Sequence, residues 1–347
     1  MINKNITVSI SSRGRHNTTL PLALNSIISQ TMLPGYLRLY IDEPGIKIEI
    51  NPLYQQMLAV CRSKEIGYDI IYTNCGQVAN HEDTRTYAKT DFVWRIDDDE
   101  VPEADCLFRL WQTIGETNVL GQEVVGAVAP LVLDAQHLTV LPKILDGTME
   151  QIDWPNVQWF LHESSKPMQV EHLHSTFLYR RSCSTPYPIL SGRAGHREET
   201  FFTHAIHNNG YKLYVDPSAI VWHHKGQSGG IRSWTNKESK DDDRLFEFYL
   251  QKNNIHKKHI ECVLLSGGLG DALCFRNIIL RHKTKRFLLA THYPEVFDGM
   301  DVELLNKGQV LMFQNCIHTN VYQWMVDKSW TQPMEHAMEQ VYEKLWT

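Results

Sequence analysis

No stretch of this chain approaches the ~18 consecutive apolar residues that a membrane-spanning helix requires, so no such helix is expected. No secretory leader is expected either. Met1-Ile2-Asn3-Lys4-Asn5 passes straight into the strand-like Ile6-Thr7-Val8-Ser9-Ile10, without the charged-then-apolar pattern of a signal peptide, and a cytoplasmic protein is expected. Paired cysteine spacing is absent: the 7 cysteines (Cys61, Cys75, Cys106, Cys183, Cys262, Cys274, Cys316) are scattered and odd in number. That speaks against both a disulfide framework and a zinc knuckle, and predicts reduced thiols, several of them in the core. An overall basic excess is lacking as well. The net charge is −6, and residues 255–347 carry ten Lys/Arg and ten Asp/Glu, so the whole acidic surplus falls in the first 254 residues. Proteins that grip nucleic acid by bulk electrostatics are ordinarily basic, which leaves only a local groove for such a partner. Repeats and low-complexity tracts are also missing.

What remains is a globular composition, 42% hydrophobic and 21% charged, in 347 residues. That length suffices for one large domain and a smaller one. The first 115 residues alternate strand and helix signals. Behind the first strand comes a polar turn, Ser11 to His16, then a helix predicted from an N-cap at Asn17, with Leu20, Ala23, Leu24, Ile27 and Ile28 on one face. A second strand spans Tyr36 to Ile41 and ends in the turn Asp42-Glu43-Pro44-Gly45. Helix over Leu53 to Ser63, strand over Tyr68 to Tyr72 and helix over His81 to Lys89 follow, then a short strand Phe92 to Ile96. This alternation predicts a mostly parallel sheet with helices on its faces. Ligands of such sheets bind beyond the carboxyl ends of the strands, so Ser12/Arg13, Asp42 and Asp97 onward form one candidate site. Residues 120–235 are richer in Trp, Pro and His and are weakly periodic. A charged helical connector is expected over Glu238 to Lys252, and a fresh strand from Ile260. The predicted division is 1–236, a connector 237–256, and a small domain 257–347.

Asp97-Asp98-Asp99 follows the short apolar strand. Carboxylates at i and i+2 on a strand end point the same way, and together Asp97 and Asp99 can hold a divalent cation whose other positions go to diphosphate oxygens and water. The plain alternative is a solvated acidic turn. Further on, Glu198-Glu199 open a helix, where the helix dipole favours anionic side chains and a carboxylate can accept a proton from an attacking hydroxyl. Gly210 closes that helix. A strand follows and ends in His223-His224, either of which can be a third metal ligand; the plain alternatives are N-terminal helix charges and surface histidines.

The opening strand, the Asp42 strand end, Asp97-Asp98-Asp99, the Glu-Glu helix and the ending Gly210-Tyr211-Lys212 … Pro217-x-Ala219-x-Val221-x-His223 resemble family 2 glycosyltransferases of the GT-A fold, over about residues 5–235. The resemblance implies an α/β, GT-A nucleotide-sugar-binding domain with a mostly parallel central sheet. It places Ser12 and Arg13 beside the nucleotide, Asp42 on its base or ribose, and Arg85 near the diphosphate. Asp97 and Asp98 would also contact the donor. Asp97 and Asp99 would hold Mn²⁺ or Mg²⁺, completed by His223 or His224. Glu199 would be the catalytic base and Glu198 would position the acceptor, although the family's usual Glu-Asp pair is Glu-Glu here. Where the family commonly shows two acids and Gly-Ser, this chain has Ile41-Asp42-Glu43-Pro44-Gly45. The implied reaction is metal-dependent sugar transfer, with inversion in the family's manner, from a nucleotide-sugar (a UDP-sugar favoured) to a hydroxyl acceptor. A surface polysaccharide or lipopolysaccharide glycan is the default acceptor and a hydroxymethylated base in viral DNA the second.

Ser266-Gly267-Gly268-Leu269-Gly270-Asp271 between strand and helix is similar to the start of the heptosyltransferase-like GT-B family, which implies a small Rossmann-like α/β segment. A glycine turn at a helix N-terminus is a ready anion site, yet too few residues follow for a GT-B enzyme, and scaffolding or acceptor docking is the expected role. Amphipathic helices at Asn320 to Met325 and Met334 to Trp346 are predicted to close the chain. Two rival classes are a non-catalytic nucleotide-sugar-binding module, which has no need of both acid sets, and a metal-dependent nucleotidyltransferase, which the Glu-Glu helix and histidines fit poorly.

Overall fold

A computed structural model describes residues 2–116, 124–133, 167–170, 172–173, 175–188, 190, 195, 197–224, 229, 240–242, 244–245, 248, 260–282, 286–305, 317–319 and 321–346. These fall into two compact units, one drawn from residues up to 253 and the other from 254 onward.

In chain order the first unit contains β1 (Ile2–Ser12), α1 (Leu20–Ile28), β2 (Leu33–Ile41), α2 (Pro52–Ser63), β3 (Gly67–Tyr72), α3 (Gln77–Tyr87), β4 (Phe92–Asp97), β5 (Glu100–Pro102), α4 (Cys106–Glu116), β6 (Val125–Leu133), β7 (Met168–Val170), β8 (Phe177–Arg180), α5 (Glu198–Asn208) and β9 (Lys212–His223). The strands form one sheet in the order β3-β2-β1-β4-β8-β6-β9-β5, with β7 paired to β9. The segment β3-β2-β1-β4 is parallel throughout. Strand β8 is inserted antiparallel between β4 and β6, β9 runs parallel to β6, and β5 and β7 pair antiparallel with β9. The carboxyl ends of β1, β2, β4 and β9 therefore share one edge of the sheet, and the site grows there.

Alternation along β1 explains its central place. Ile6, Val8 and Ile10 join an aliphatic core with Leu20, Leu24 and Ile27 of α1 and Tyr54 and Met57 of α2. The opposite face is buried but polar: Thr7 meets Thr90 (2.7 Å), and Ser9 meets His81 (3.0 Å) and Thr84 (2.9 Å). Hydroxyls facing α3 find partners there, as buried polar groups must. The five apolar positions predicted for α1 are its buried face, but the helix starts at Leu20 and not after Asn17. The Arg15 carbonyl collects the amides of Thr18 (3.0 Å) and Leu20 (3.2 Å), which holds the intervening residues in a turn. Pro21 then fits the first helical turn, where its missing N–H costs nothing. Helix α3 starts earlier than expected, at Gln77, because Gly76 at φ 90° turns the chain into it. Strands β6, β7 and β8 lie in the segment whose periodicity gave no prediction.

Of the cysteines among the described residues, Cys61, Cys106 and Cys183 are buried free thiols, as expected, and Cys75 is exposed. Among the described residues no helix is long and apolar enough to cross a membrane.

The second unit contains β10 (Ile260–Leu265), α6 (Leu269–Arg281), β11 (Arg286–Thr291), β12 (Val302–Leu304), β13 (Ile317–Thr319), α7 (Val321–Asp327) and α8 (Met334–Trp346). Its strands form a parallel sheet in the order β12-β11-β10-β13, over a core that includes Val263, Phe275, Phe287, Leu289 and Tyr342. The connector expected over 238–252 lies largely outside the described residues.

Helix α5 carries the Glu-Glu pair, and its seat against β6 depends on one close approach. A Cβ on Gly126 would stand 2.4 Å from Ile206 Cγ2 and 2.9 Å from Tyr211 Cβ. Overpacking of this kind costs ~1–3 kcal/mol. Gly126→Ala is expected to lower stability by about that amount in urea unfolding, with an unchanged m-value.

Candidate active site

The acidic run begins inside β4, whose Phe92, Val93, Trp94 and Ile96 are buried. At its end the chain turns so that the Asp97 amide donates to Glu100 Oε2 (3.1 Å). Strand β5 then pairs Glu100 with His223 of β9, and the His224 amide donates to the Asp99 carbonyl (2.8 Å). This pairing brings the end of β9 onto the acidic turn. The His223 imidazole reaches Asp99, Nε2 to Oδ2 3.2 Å, and the exposed His224 side chain does not. Adjacent strand residues point to opposite faces, which decides between the two histidines.

The three aspartates have different sets of partners, with Arg15 shared by two of them. Asp98 is buried and satisfied from both sides, by the Ser12 hydroxyl (2.7 Å) and by Arg15 Nη1 (2.6 Å). Arg15 Nη1 also meets Asp99 Oδ2 (2.9 Å). Asp97 Oδ1 accepts from Gln77 Nε2 (3.1 Å) and faces Arg95 Nη2 (3.2 Å). Glu198 at the start of α5 is buried on the same two groups: it is ion-paired with Arg95 and accepts from Gln77 Nε2 at 3.2 Å. Glu199 is half-buried one residue on, and its charge acts on Asp97, Arg95 and Glu198.

A second group forms at the ends of β1 and β2. Arg13 Nη1 donates to the Asp42 carbonyl (2.7 Å) and carboxylate (3.2 Å). Asp42 Oδ1 accepts from the Thr73 hydroxyl (3.0 Å) and the Gly76 amide (3.1 Å).

The fold thus gathers Ser12, Arg13, Asp42, Asp97, Asp98, Asp99, Glu198, Glu199 and His223 at one sheet edge, but their roles are unequal. Ser12 donates to Asp98, which Arg15 also meets, so both belong to the turn behind the acidic strand end. Arg85 is not brought to the cluster: it sits in the last turn of α3, bound to Glu82 (Nε–Oε2 2.8 Å), whereas the site-facing end of that helix is Gln77. Arg15 and Arg95 went unpredicted. Arg95 had a legible signal, as a lone charge inside the apolar run Phe92-Val93-Trp94-Arg95-Ile96. Arg15 had none beyond its place in a polar turn.

Burial dominates the electrostatics. It pushes the Asp98 carboxyl up to about 6 against the pull of Arg15. Glu100, deeply buried and next to Asp97, is pushed up to about 8, and burial likewise raises Glu198 to about 8 despite Arg95. Burial alone would lower His223, but its hydrogen bond and charge contact with Asp99 outweigh that and raise it. Among the described residues, Asp97, Asp98, Asp99, Glu100 and Glu198 outnumber the guanidinium groups of Arg15 and Arg95 and the His223 imidazole that face them, and Glu100 Oε1 and Glu198 Oε2 are buried without hydrogen-bond partners. That deficit of positive charge fits a divalent cation. The Asp99–His223 pair, one carboxylate and one imidazole, fits Mn²⁺ or Mg²⁺ as a donor set. Among the described residues no group of three or more His, Cys, Asp and Glu side chains converges as a ready cradle. Asp97, the expected partner of Asp99, is held instead by Arg95 and Gln77.

In the second unit the glycine turn before α6 is not an open anion site. Asp271 Oδ2 accepts the Gly268 amide (3.0 Å), and a Cβ on Gly267 would stand 2.3 Å from the same carboxylate. The protein's own acid occupies the position where a phosphate would sit.

No family model matches the sequence, and no curated protein matches it. Among solved structures, the chain is similar to S. aureus TarS in complex with UDP-GlcNAc, at 14% identity and a TM-score of 0.50, over 71% of this chain and 66% of that one. The chain thus spans just under two thirds of the TarS chain it matches. Weaker likenesses are to GalNAc-T7 with UDP, GalNAc and Mn²⁺ (14% identity, TM-score 0.45, 73% of this chain and 50% of that one). A mannosyltransferase from Pyrobaculum calidifontis in complex with GDP-Man and Mn²⁺ follows (12% identity, TM-score 0.43, 70% and 64%). These last two carry no weight below. At such identity the TarS likeness shows the fold: a mixed α/β architecture of the GT-A type, as the motifs implied.

The raised carboxyls make stability pH-dependent. Unfolded Asp and Glu titrate near 4, so the stability contributed by the proton-bound forms is full below about 4. It is lost as pH rises through about 6 for Asp98 and about 8 for Glu100. The melting temperature of the metal-free protein is expected to fall between pH 6 and 8.5. Glu100→Gln should flatten that slope; an unchanged slope would show that Glu100 titrates normally.

Proposed function

We propose that this protein is a metal-dependent glycosyltransferase that moves a sugar from a nucleotide-sugar, a UDP-sugar by preference, to a hydroxyl group. The observation that carries this reading is the meeting of Asp99 with His223 at the carboxyl edge of a GT-A-type sheet, beside the N-terminus of the Glu198-Glu199 helix. A binding module has no use for a second buried acid pair next to the first.

On this reading the Arg13–Asp42 group, with Thr73 and the Gly76 amide behind it, lies against the base or ribose. Asp99 and His223 hold Mn²⁺ or Mg²⁺, and the diphosphate and water supply the remaining ligands. The cation, when bound, neutralises charge on the departing nucleoside diphosphate. Glu199 accepts the proton of the acceptor hydroxyl as that oxygen bonds to the anomeric carbon and the bond to the diphosphate oxygen breaks. The step is a single displacement with inversion. Glu198, tied to Arg95, is ill placed to share that role, because its charge is already engaged. Its part is to fix the start of α5.

The acceptor we favour is a glycan hydroxyl of a surface polysaccharide or lipopolysaccharide. The acidic surplus in residues 1–254 disfavours a DNA acceptor, which would demand phosphate-binding cations. For the second unit we propose scaffolding or acceptor docking, in keeping with a glycine turn closed by Asp271.

A thermal-shift series of UDP-, GDP-, CMP- and dTDP-sugars with and without Mn²⁺ tests the reading. One donor should raise the melting temperature only with the metal, and Asp99→Ala should abolish the shift. Glu199→Gln should keep the shift and lose about 10²–10⁴-fold in turnover, the usual worth of a general base. Full activity in Glu199→Gln would remove Glu199 from the role of base, and no shift with any donor would remove the reading itself.

A further inference from the structure

A cation buried on a central strand calls for an explanation. Arg95 is 1% exposed, lies between β1 and β8, and has its guanidinium carbon 5.7 Å from the centre of the Phe177 ring. Taking such a charge out of water costs several kcal/mol, and apolar replacements of similar volume are often as stable or more so. Stability alone does not account for an arginine here, and among the described residues two of its nitrogens, Nε and Nη1, have no hydrogen-bond partner.

Its third nitrogen has two. Arg95 Nη2 faces Asp97 Oδ1 (3.2 Å) and is paired with Glu198 Oε1. Gln77 Nε2, from the first turn of α3, donates to the same two oxygens, at 3.1 and 3.2 Å. One cationic donor and one neutral donor, from different elements, thus clamp one oxygen of the acidic strand end to one oxygen of the base helix. The backbone tightens the same junction. A Cβ on Gly195 would stand 2.2 Å from Val78 Cγ2 on α3, and the Gly195 carbonyl accepts the Glu198 amide (3.0 Å).

We propose that Arg95, together with Gln77, is a positioning residue: by holding Glu198 against Asp97 it fixes the start of α5 and so the place of Glu199 in the cleft. Arg95 touches no reacting atom on this account. It acts through Glu198, and its loss displaces the base without emptying the donor site. The inference rests on the glycosyltransferase reading above.

The two claims separate experimentally. UDP-GlcNAc with Mn²⁺ is the probe. Its dissociation constant is measured by calorimetry, UDP release gives kcat and KM, and thermal melting checks folding. Arg95→Lys keeps the charge but offers no planar fork, and Gln77→Ala removes only the neutral donor. Both should fold and hold the probe within about threefold of the wild-type affinity, and lose ~10–100-fold in kcat, as expected when a reacting group is misplaced by about 1 Å. Arg95→Met leaves Glu198 without its cation and is liable to misfold, so it is paired with Glu198→Gln. The double variant should fold, bind the probe, and lose no more turnover than Glu198→Gln alone, because residues that act as one unit do not add. Wild-type kcat in Arg95→Lys, affinity falling in step with turnover, or additive losses in the double variant would each overturn the positioning role while leaving the transferase standing. A wild-type chain that neither binds nor turns over any nucleotide-sugar would overturn the underlying reading and this role with it.

Discussion

Carboxylates crowd one edge of the sheet, and among the described residues they outnumber the cations paired with them. Asp97, Asp98, Asp99, Glu100 and Glu198 lie within one hydrogen-bonded neighbourhood, with Arg15 and Arg95 as their guanidinium partners. Much of the surrounding structure can be read as containment of that charge. Ser12 and Arg15 take Asp98 out of play, His223 comes over from β9 to Asp99, and burial holds Glu100 largely in its protonated form near neutral pH. The residual negative charge is what a divalent cation and a diphosphate would complete together, the cation bridging two anionic partners that otherwise repel.

The topology makes this crowding possible. β1, β2 and β4 are parallel neighbours, and β9 runs the same way beyond the antiparallel insertion of β8. Residues more than a hundred positions apart, such as Asp99 and His223, therefore arrive at one edge. The same arrangement sets the N-termini of α3 and α5 beside β4, so that Gln77 and Glu198 meet across it. Neighbours in sequence then differ in their surroundings: Glu198 is buried on Arg95 while Glu199 is half-buried, and Asp99, unlike Asp98, also meets His223.

Much of this was legible in the sequence, for identifiable reasons. The alternating strands and helices of residues 1–115 follow strong periodicity, and the apolar face of α1 is the one its spacing indicates. The strand-end rule found Ser12, Arg13, Asp42 and the aspartates together, because it depends only on chain direction in a parallel sheet. What stayed hidden depends on particular contacts. Nothing in the order Asp97-Asp98-Asp99 says that the middle acid turns to Ser12 and Arg15, or that Asp97 leaves Asp99 for Arg95. Arg85 was expected near the diphosphate from the resemblance, and its bonds to Glu82, three residues before it, are contacts that a motif does not show. Strands β6 to β8 were missed because a buried edge-to-centre run such as Val125–Leu133 carries no alternation. The glycine turn before α6 likewise resembles a phosphate site until Asp271 is seen folded back onto it.

Electron paramagnetic resonance of Mn²⁺ addresses the central claim most directly, since protein-bound ion is lost from the free-ion signal. Titrated into the wild-type chain with UDP present, one Mn²⁺ per chain should bind, far more tightly than without UDP, because in the proposed site Asp99 and His223 hold the ion together with the diphosphate. Asp99→Asn and His223→Ala should each weaken that binding. Binding that is indifferent to UDP and survives in both variants would contradict the account, and would show that this acidic edge is neutralised by protons and arginines alone.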